Sequence, residues 1–252
     1  GIDPDDTPGA PGSKAELETT TEELVFTLAD LQNRLWAESR RSVLLVLQAL
    51  DAGGKDGTIR KVFTGVNPQG VRVTSFKAPT PDELAHDFLW RIHARTPAAG
   101  EIGVFNRSHY EDVLVVRVED LVAEPVWRAR YAAIRHFEDQ LAASGTTIVK
   151  VYLHISAEEQ ARRFRSRLTE PAKRWKFSSG DLEVRAKWDQ YREAYLDAIE
   201  ETSTKAAPWY VVPADQKKYR NWAALQILVA TLQDMDPQFP EPSEDLDGIV
   251  IE

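Results

Sequence analysis

The chain has 252 residues, 42% apolar and 28% charged, which supports one large globular domain with a real core and excludes global disorder. Cysteine is absent, which excludes disulfide scaffolds, thiolate metal sites and cysteine nucleophiles and suits a reducing, cytoplasmic setting. A net charge of −9, from 31 basic and 40 acidic residues, argues against a duplex nucleic-acid binder, and no apolar run reaches the roughly 18 residues of a membrane span.

Residues 1–13 read as a flexible arm, with six prolines or glycines among acids and no secretory pattern. Ala15 to Glu38 carries a helical stripe of Leu17, Leu24, Leu28, Leu31 and Leu35. Ser42 to Gln48 is a continuous aliphatic run, as expected of a strand buried on both faces of a parallel sheet. A glycine-rich loop follows, then a predicted helix over Thr58 to Val66. Val71 to Lys77 alternates as a second strand. Thr80-Pro-Asp-Glu83 is a capping box that predicts a helix to about Ala94.

Ile102 to Phe105 is a short third strand, and Pro125 to Ala143 an amphipathic helix closed by Gly145. Thr146 to Ile155 is the fourth strand, and Ser156-x-x-Glu159 caps the helix after it. Pro171 breaks that helix; Asp181 to Glu201 is predicted helical, Trp209 to Val212 is a fifth strand, and Tyr219 to Gln233 a last helix. Residues 236–252 hold six acids, three prolines and no bases, and read as an acidic tail. Strands alternating with helices imply a three-layer α/β domain over residues 14–235 with about five parallel strands and right-handed crossovers.

Ala49-Leu-Asp-Ala-Gly-Gly-Lys-Asp-Gly-Thr58 sits between a strand and a helix, the context of a phosphate loop. Gly53, Gly54, Asp56, Gly57 and Thr58 are candidates to wrap phosphate oxygens, with Lys55 reaching them. The strict pattern has glycine where Ala49 stands and a hydroxyl where Asp56 stands, so an ordinary glycine-rich turn stays open. A carboxylate at Asp51 repels phosphate unless a cation lies between, which makes Asp51 a candidate Mg²⁺ ligand, or else a turn aspartate bonding its own backbone.

Asn106-Arg-Ser-His-Tyr-Glu-Asp112 follows the third strand, at the edge where open parallel sheets bind ligands. Arg107 is placed to bridge a phosphoryl group in transfer, and Glu111 and Asp112 to hold a metal or position an acceptor; acids capping a helix are the plain alternative. Arg162 to Lys176 packs seven basic residues against Glu170, a local +6 that calls for an anion or for pairing with acids elsewhere. Histidines 86, 93, 109, 136 and 154 show no metal-binding spacing. Lys77 and Arg117 stand near strand ends, as nucleotide contacts or as surface charges.

Together, Leu50 to Thr58, Gly65-Val-Asn-Pro-Gln-Gly70, Phe105-Asn-Arg-Ser-His-Tyr110 and Lys173-Arg-Trp-Lys-Phe177 resemble the polyphosphate kinase 2 family over roughly Leu24 to Thr231. The resemblance implies a P-loop kinase fold close to thymidylate kinases, with a helical lid at about 160–187. It also implies reversible, Mg²⁺-dependent phosphoryl transfer (Mn²⁺ serving in its place) between inorganic polyphosphate and adenine or guanine nucleotides. It places the loop carboxylate and lysine on Asp51 and Lys55, the arginine on Arg107, and lid cations on Arg163, Arg167, Arg174, Lys173 and Lys176. Many members have aspartate where Asn106 stands; Asn106 with Glu111 resembles the subgroup that phosphorylates both AMP and ADP. The family usually assembles as dimers or tetramers, and neither a nucleic acid nor a membrane is implied. An ATP-dependent nucleoside monophosphate kinase and a non-catalytic nucleotide or single-strand binder are the competing readings.

Overall fold

The computed structural model describes residues 1–246 together with Ile249 and Ile251; within the expected acidic tail, Asp247, Gly248, Val250 and Glu252 lie outside the described residues. Chain order is α1 (Lys14–Glu38), β1 (Ser42–Gln48), α2 (Lys55–Val62), β2 (Val71–Ser75), α3 (Pro81–Leu84), α4 (Trp90–His93), β3 (Ile102–Asn106), α5 (Val115–Val118) and α6 (Glu124–Ala143). Then come β4 (Thr146–His154), α7 (Ala157–Thr169), α8 (Gly180–Ala186), α9 (Trp188–Thr202), β5 (Trp209–Pro213) and α10 (Lys217–Met235).

Among the described residues five strands form one parallel sheet in the order β2-β3-β1-β4-β5. The aliphatic run of β1 is central and buried along its whole length, with Val43 opposite Ile102 on one side and Thr147 on the other. Its side chains divide by the two-residue period of a strand. Val43, Leu45 and Leu47 face the layer built by α1, α2 and α10, and Leu44 and Val46 face the layer of α6 and α9. The leucine stripe of α1 is buried at Leu24, Leu28, Leu31 and Leu35. The chain leaves β1 through α2 on one face and leaves β3 toward α6 on the other, which opens a crevice beyond the C-terminal ends of these two strands. The three-layer α/β expectation is met.

Several boundaries differ from the sequence reading. The Thr80 capping box forms, but its helix lasts one turn: Leu84 is exposed, so no apolar face holds it, and Asp87 Oδ1 accepts from Leu89 N to start the separate turn α4. Helix α2 starts at Lys55 rather than Thr58, because Gly54, at φ 107°, turns the chain directly into it. The helix predicted over Asp181 to Glu201 is interrupted at Lys187, whose backbone leaves the helical region (φ −99°, ψ 25°) and whose ammonium pairs with Glu119. Helix α7 ends at Thr169, before Pro171 as expected. The arm of residues 1–13 lies against the β5–α10 connection and the start of α10: Asp215 N donates to Pro4 O at 3.1 Å, and the Tyr219 hydroxyl to Pro8 O at 3.0 Å. No helix among the described residues is long and apolar enough to cross a membrane.

Candidate active site

The loop after β1 closes on itself. Gly53 N donates to Leu50 O at 2.9 Å, and Lys55 Nζ reaches back to Ala49 O at 2.8 Å. A Cβ on Gly53 would lie 2.5 Å from Ala49 Cβ and 2.7 Å from Leu50 O, so only glycine fits. Ala52 has φ 59°, a left-handed conformation that costs a residue with a Cβ and marks a turn held by its surroundings.

Arg107 lies across the crevice, itself at φ 62°, and its NH2 donates to Asp51 Oδ1 at 2.9 Å. Beside it, Asn106 Nδ2 donates to Asp56 Oδ1 at 2.8 Å, fastening the β3 edge to the first turn of α2. The segment is held from below by a buried network. Lys150 Nζ donates to Glu138 Oε2 at 2.6 Å, to the Tyr110 hydroxyl at 2.9 Å and to Thr202 O at 2.8 Å, and Tyr110 donates to Glu138 Oε1 at 2.8 Å. Removing one partner of such a buried pair costs about 3–5 kcal/mol, so this floor is rigid.

Electrostatically the site is a packed set of opposite charges. Removal from water and then the Arg107 guanidinium lower Lys55, against Asp51, Glu111 and Asp56. Burial also lowers Arg107, but the carboxylates of Glu111 and Asp51 outweigh it and hold the guanidinium above its ordinary value. Burial raises Glu111 against the pull of Arg107 and Lys55.

Asp51, Lys55, Asp56, Asn106, Arg107 and Lys77 line one cleft of about 490 Å³, with Gly53, Gly54 and Gly57 in its wall and Arg167, Lys176 and Asp181 on the lid side. Glu111 lies in an adjoining recess of about 240 Å³ shared with Asp51, Arg107, Tyr191 and Tyr195. A groove of about 620 Å³ meets the first cleft at Gly54 and runs behind the loop. Its walls carry Arg60, Lys61, Lys173, Lys176, Lys217 and Arg220, with Glu170 their one acid.

Other expected residues are placed elsewhere. Thr58 is buried with its hydroxyl unpartnered and lines neither cleft. Arg117 is bound by Asp197 at 2.6 Å and Glu193 at 2.9 Å and lies over Trp127, so its charge is spent far from the loop. Arg174 is exposed, with Nε donating to Leu168 O, and lines neither cleft. Arg163 borders the groove, but its donors go to Glu159, Ala52 O and Ala214 O, which makes it a brace of the loop. Asp112 turns away to Arg130 at 2.9 Å and is pushed up to about 6, by burial first.

Sequence reasoning missed Arg220, which lies outside every motif. Its guanidinium is buried, pulled down to about 10 by desolvation and by Arg163, and packs where a Gly54 side chain would sit. It also missed Gln48, whose Nε2 donates to Ser108 Oγ at 3.1 Å and whose Oε1 accepts from Tyr195 at 3.3 Å. A glutamine closing an aliphatic run just before the loop was the available signal.

The donor set fits a hard divalent cation. Mg²⁺ is ordinarily held by one or two carboxylates plus substrate phosphates rather than by a protein cage. Among the described residues no cluster of three or more acids or histidines forms such a cage, and Asp51 offers its carboxylate to the cleft with only Oδ1 taken by Arg107.

The profile of the family described as polyphosphate kinase 2 matches residues 12–240. An AMP/ADP-polyphosphate phosphotransferase of Meiothermus ruber is 56% identical over 251 residues, covering 100% of this chain and 94% of that one. An ADP-polyphosphate phosphotransferase of Rhodopseudomonas palustris is 48% identical over 229 residues, covering 86% of this chain and 79% of that one. The crystal structure of polyphosphate kinase 2 from Arthrobacter aurescens TC1 superposes with a TM-score of 0.95 at 47% identity, over 98% of this chain and 88% of that one.

Proposed function

The chain belongs to the polyphosphate kinase 2 family, and we propose that it transfers the terminal phosphoryl group of inorganic polyphosphate to AMP and ADP, giving ADP and ATP, reversibly. The observation that carries this reading is the junction at Gly54 of a cleft holding Asp51, Lys55 and Arg107 with a groove whose charged lining is all Lys and Arg apart from Glu170. A linear polyanion needs a cationic groove that continues past the loop, whereas an ATP donor needs a base-binding pocket.

Phosphoryl transfer asks the protein for positioning and charge rather than covalent chemistry. Loop amides and Lys55 would hold the phosphates, and Arg107, released from Asp51, would reach the charge spread over the equatorial oxygens. Glu111 would orient the acceptor from its recess. Asp51 would hold Mg²⁺, or Mn²⁺ in its place, and the ion would supply positive charge to offset that of the phosphates. Lys176 and Arg167 reach both clefts and would follow the polyphosphate from lid to loop. Arg60, Lys61, Lys217 and Arg220 would carry the chain beyond it. The same reading extends to guanine nucleotides as acceptors, to a cytoplasmic setting and to a dimer or tetramer, the last supported by exposed apolar side chains such as Phe26, Val73 and Trp90.

The test is ADP and ATP formation from AMP, polyphosphate and Mg²⁺ with ATP omitted, beside Lys55→Ala. Product from the parent alone is expected. Product from ATP plus AMP, with none from polyphosphate, would return the chain to the ATP-dependent kinases.

A further inference from the structure

The loop that presents Asp51 is not held by its own hydrogen bonds alone. Ala52 sits in the left-handed region, and two side chains of α7 take the carbonyls on either side of the Asp51–Ala52 peptide. Gln160 Nε2 donates to Asp51 O at 2.9 Å, and Arg163 NH1 donates to Ala52 O at 2.8 Å. Gln160 is fully buried, and its other amide atom is committed too: Oε1 accepts from Arg185 NH1 at 2.9 Å. Arg185 belongs to α8 in the lid and also caps Ala157 O at 2.8 Å. A buried primary amide has a donor end and an acceptor end, and this one is placed so that each end meets a different element. The lid side is charge-assisted, and the loop side fixes the main-chain carbonyl of the same residue whose carboxylate faces the cleft.

We propose that Gln160 is a positioning residue: its amide ties the lid helix α8, through Arg185, to the backbone of Asp51, and so sets the loop carboxylate only when the lid is in register. This rests on the reading of Asp51 as the residue that meets the metal and phosphates. It touches no substrate itself. It acts on the Asp51–Ala52 turn, whose backbone conformation a residue with a Cβ holds only under constraint.

The test compares Gln160→Met, which keeps length and burial but removes both ends, with Gln160→Glu, which keeps the acceptor for Arg185 and loses the donor to Asp51 O. Arg185→Met, the third variant, removes the lid-side bonds to Gln160 and Ala157 O and leaves the bond from Gln160 to Asp51 O in place. Steady-state kinetics with AMP, polyphosphate and Mg²⁺ are paired with amide exchange of the peptide spanning Ala49–Gly57, read against the β1 peptide Val43–Gln48 as a folding control. Both Gln160 variants are expected to lose about tenfold or more in kcat, with the polyphosphate KM within twofold and faster exchange at Gly53 and Gly54. Arg185→Met is expected to move kcat and loop exchange the same way, less far. Since Arg185 is only half-buried, this variant carries the test if the Gln160 variants fail the folding control. Parental kcat and unchanged loop exchange in Gln160→Met would overturn the proposal, as would Gln160→Glu matching the parent. A parent without polyphosphate kinase activity would instead defeat the functional reading, and loop exchange would still judge the tie.

Discussion

Replacing Gly53 by alanine isolates the loop's geometry from its charges. The added methyl would lie 2.5 Å from Ala49 Cβ and 2.7 Å from Leu50 O. Both neighbours are buried at the end of a central strand, so neither can recede. Restoring an ordinary carbon contact of about 3.5–4 Å therefore pushes the Gly53 limb outward by about 1 Å. Overpacking of this kind costs about 1–3 kcal/mol. Against a typical stability of about 5–15 kcal/mol, the variant stays almost wholly folded at 25 °C. A shift of about 1 Å at the reacting groups, in contrast, costs on the order of 100-fold in rate. The assay is kcat for ADP formation from AMP and polyphosphate, with a thermal melt on the same preparation. A melting point lower by about 3–10 °C with a roughly 100-fold fall in kcat is expected. A kcat within threefold of the parent, or an activity loss that merely tracks loss of secondary structure, would refute the claim that loop geometry limits transfer.

Three other outcomes are expected from residue placement. Lys176→Ala should raise the apparent polyphosphate KM several-fold more than the nucleotide KM, whereas Arg174→Ala should leave both near parental values; equal effects of the two would mean that the lid cations act only through the general field. Asp51→Asn should lower kcat at least about 100-fold while leaving the melting point within a few degrees, because it removes the carboxylate that would hold the metal ion rather than a packing contact. Asp112 supplies a stability test: its carboxyl ionises at 3.8 unfolded but at about 6 folded, so the folded state binds the extra proton between those values. Its contribution is complete below the lower value and is lost as pH rises through the higher one. Melts should therefore show the parent losing about 2 kcal/mol relative to Asp112→Asn between about pH 4 and pH 6, and parallel curves would contradict the buried placement.

Much of this molecule was legible before any tertiary structure. The unbroken apolar run of β1 required a strand covered on both faces, and the leucine spacing of α1 required a helix with one buried stripe. The order strand, glycine loop, helix put Asp51 and Lys55 at the sheet's ligand edge, and the position of Asn106–Arg107 after another short strand put them beside it. These are local properties: periodicity decides which face is buried, and every strand of a parallel sheet delivers its succeeding loop to the same edge. Helix length was less legible where no apolar face enforced it, as after Thr80.

Charge counts along the chain did not distribute the cations. Arg162 to Lys176 looked like one basic surface, yet Arg163 was taken by the backbone carbonyls of Ala52 and Ala214 and Arg174 by the lid's own backbone. The far wall of the groove came instead from Arg60 and Lys61 on α2 and from Lys217 and Arg220 on α10. Arg117 was claimed by carboxylates of α9, and Gln160 was placed between the lid and the loop. Composition and spacing determined the fold and the place of the glycine-rich loop, because those depend on neighbours in sequence. Which long side chains stay free for an anion was decided by packing, because a guanidinium or amide several bonds from its backbone answers to whatever acceptor the folded chain brings within about 3 Å.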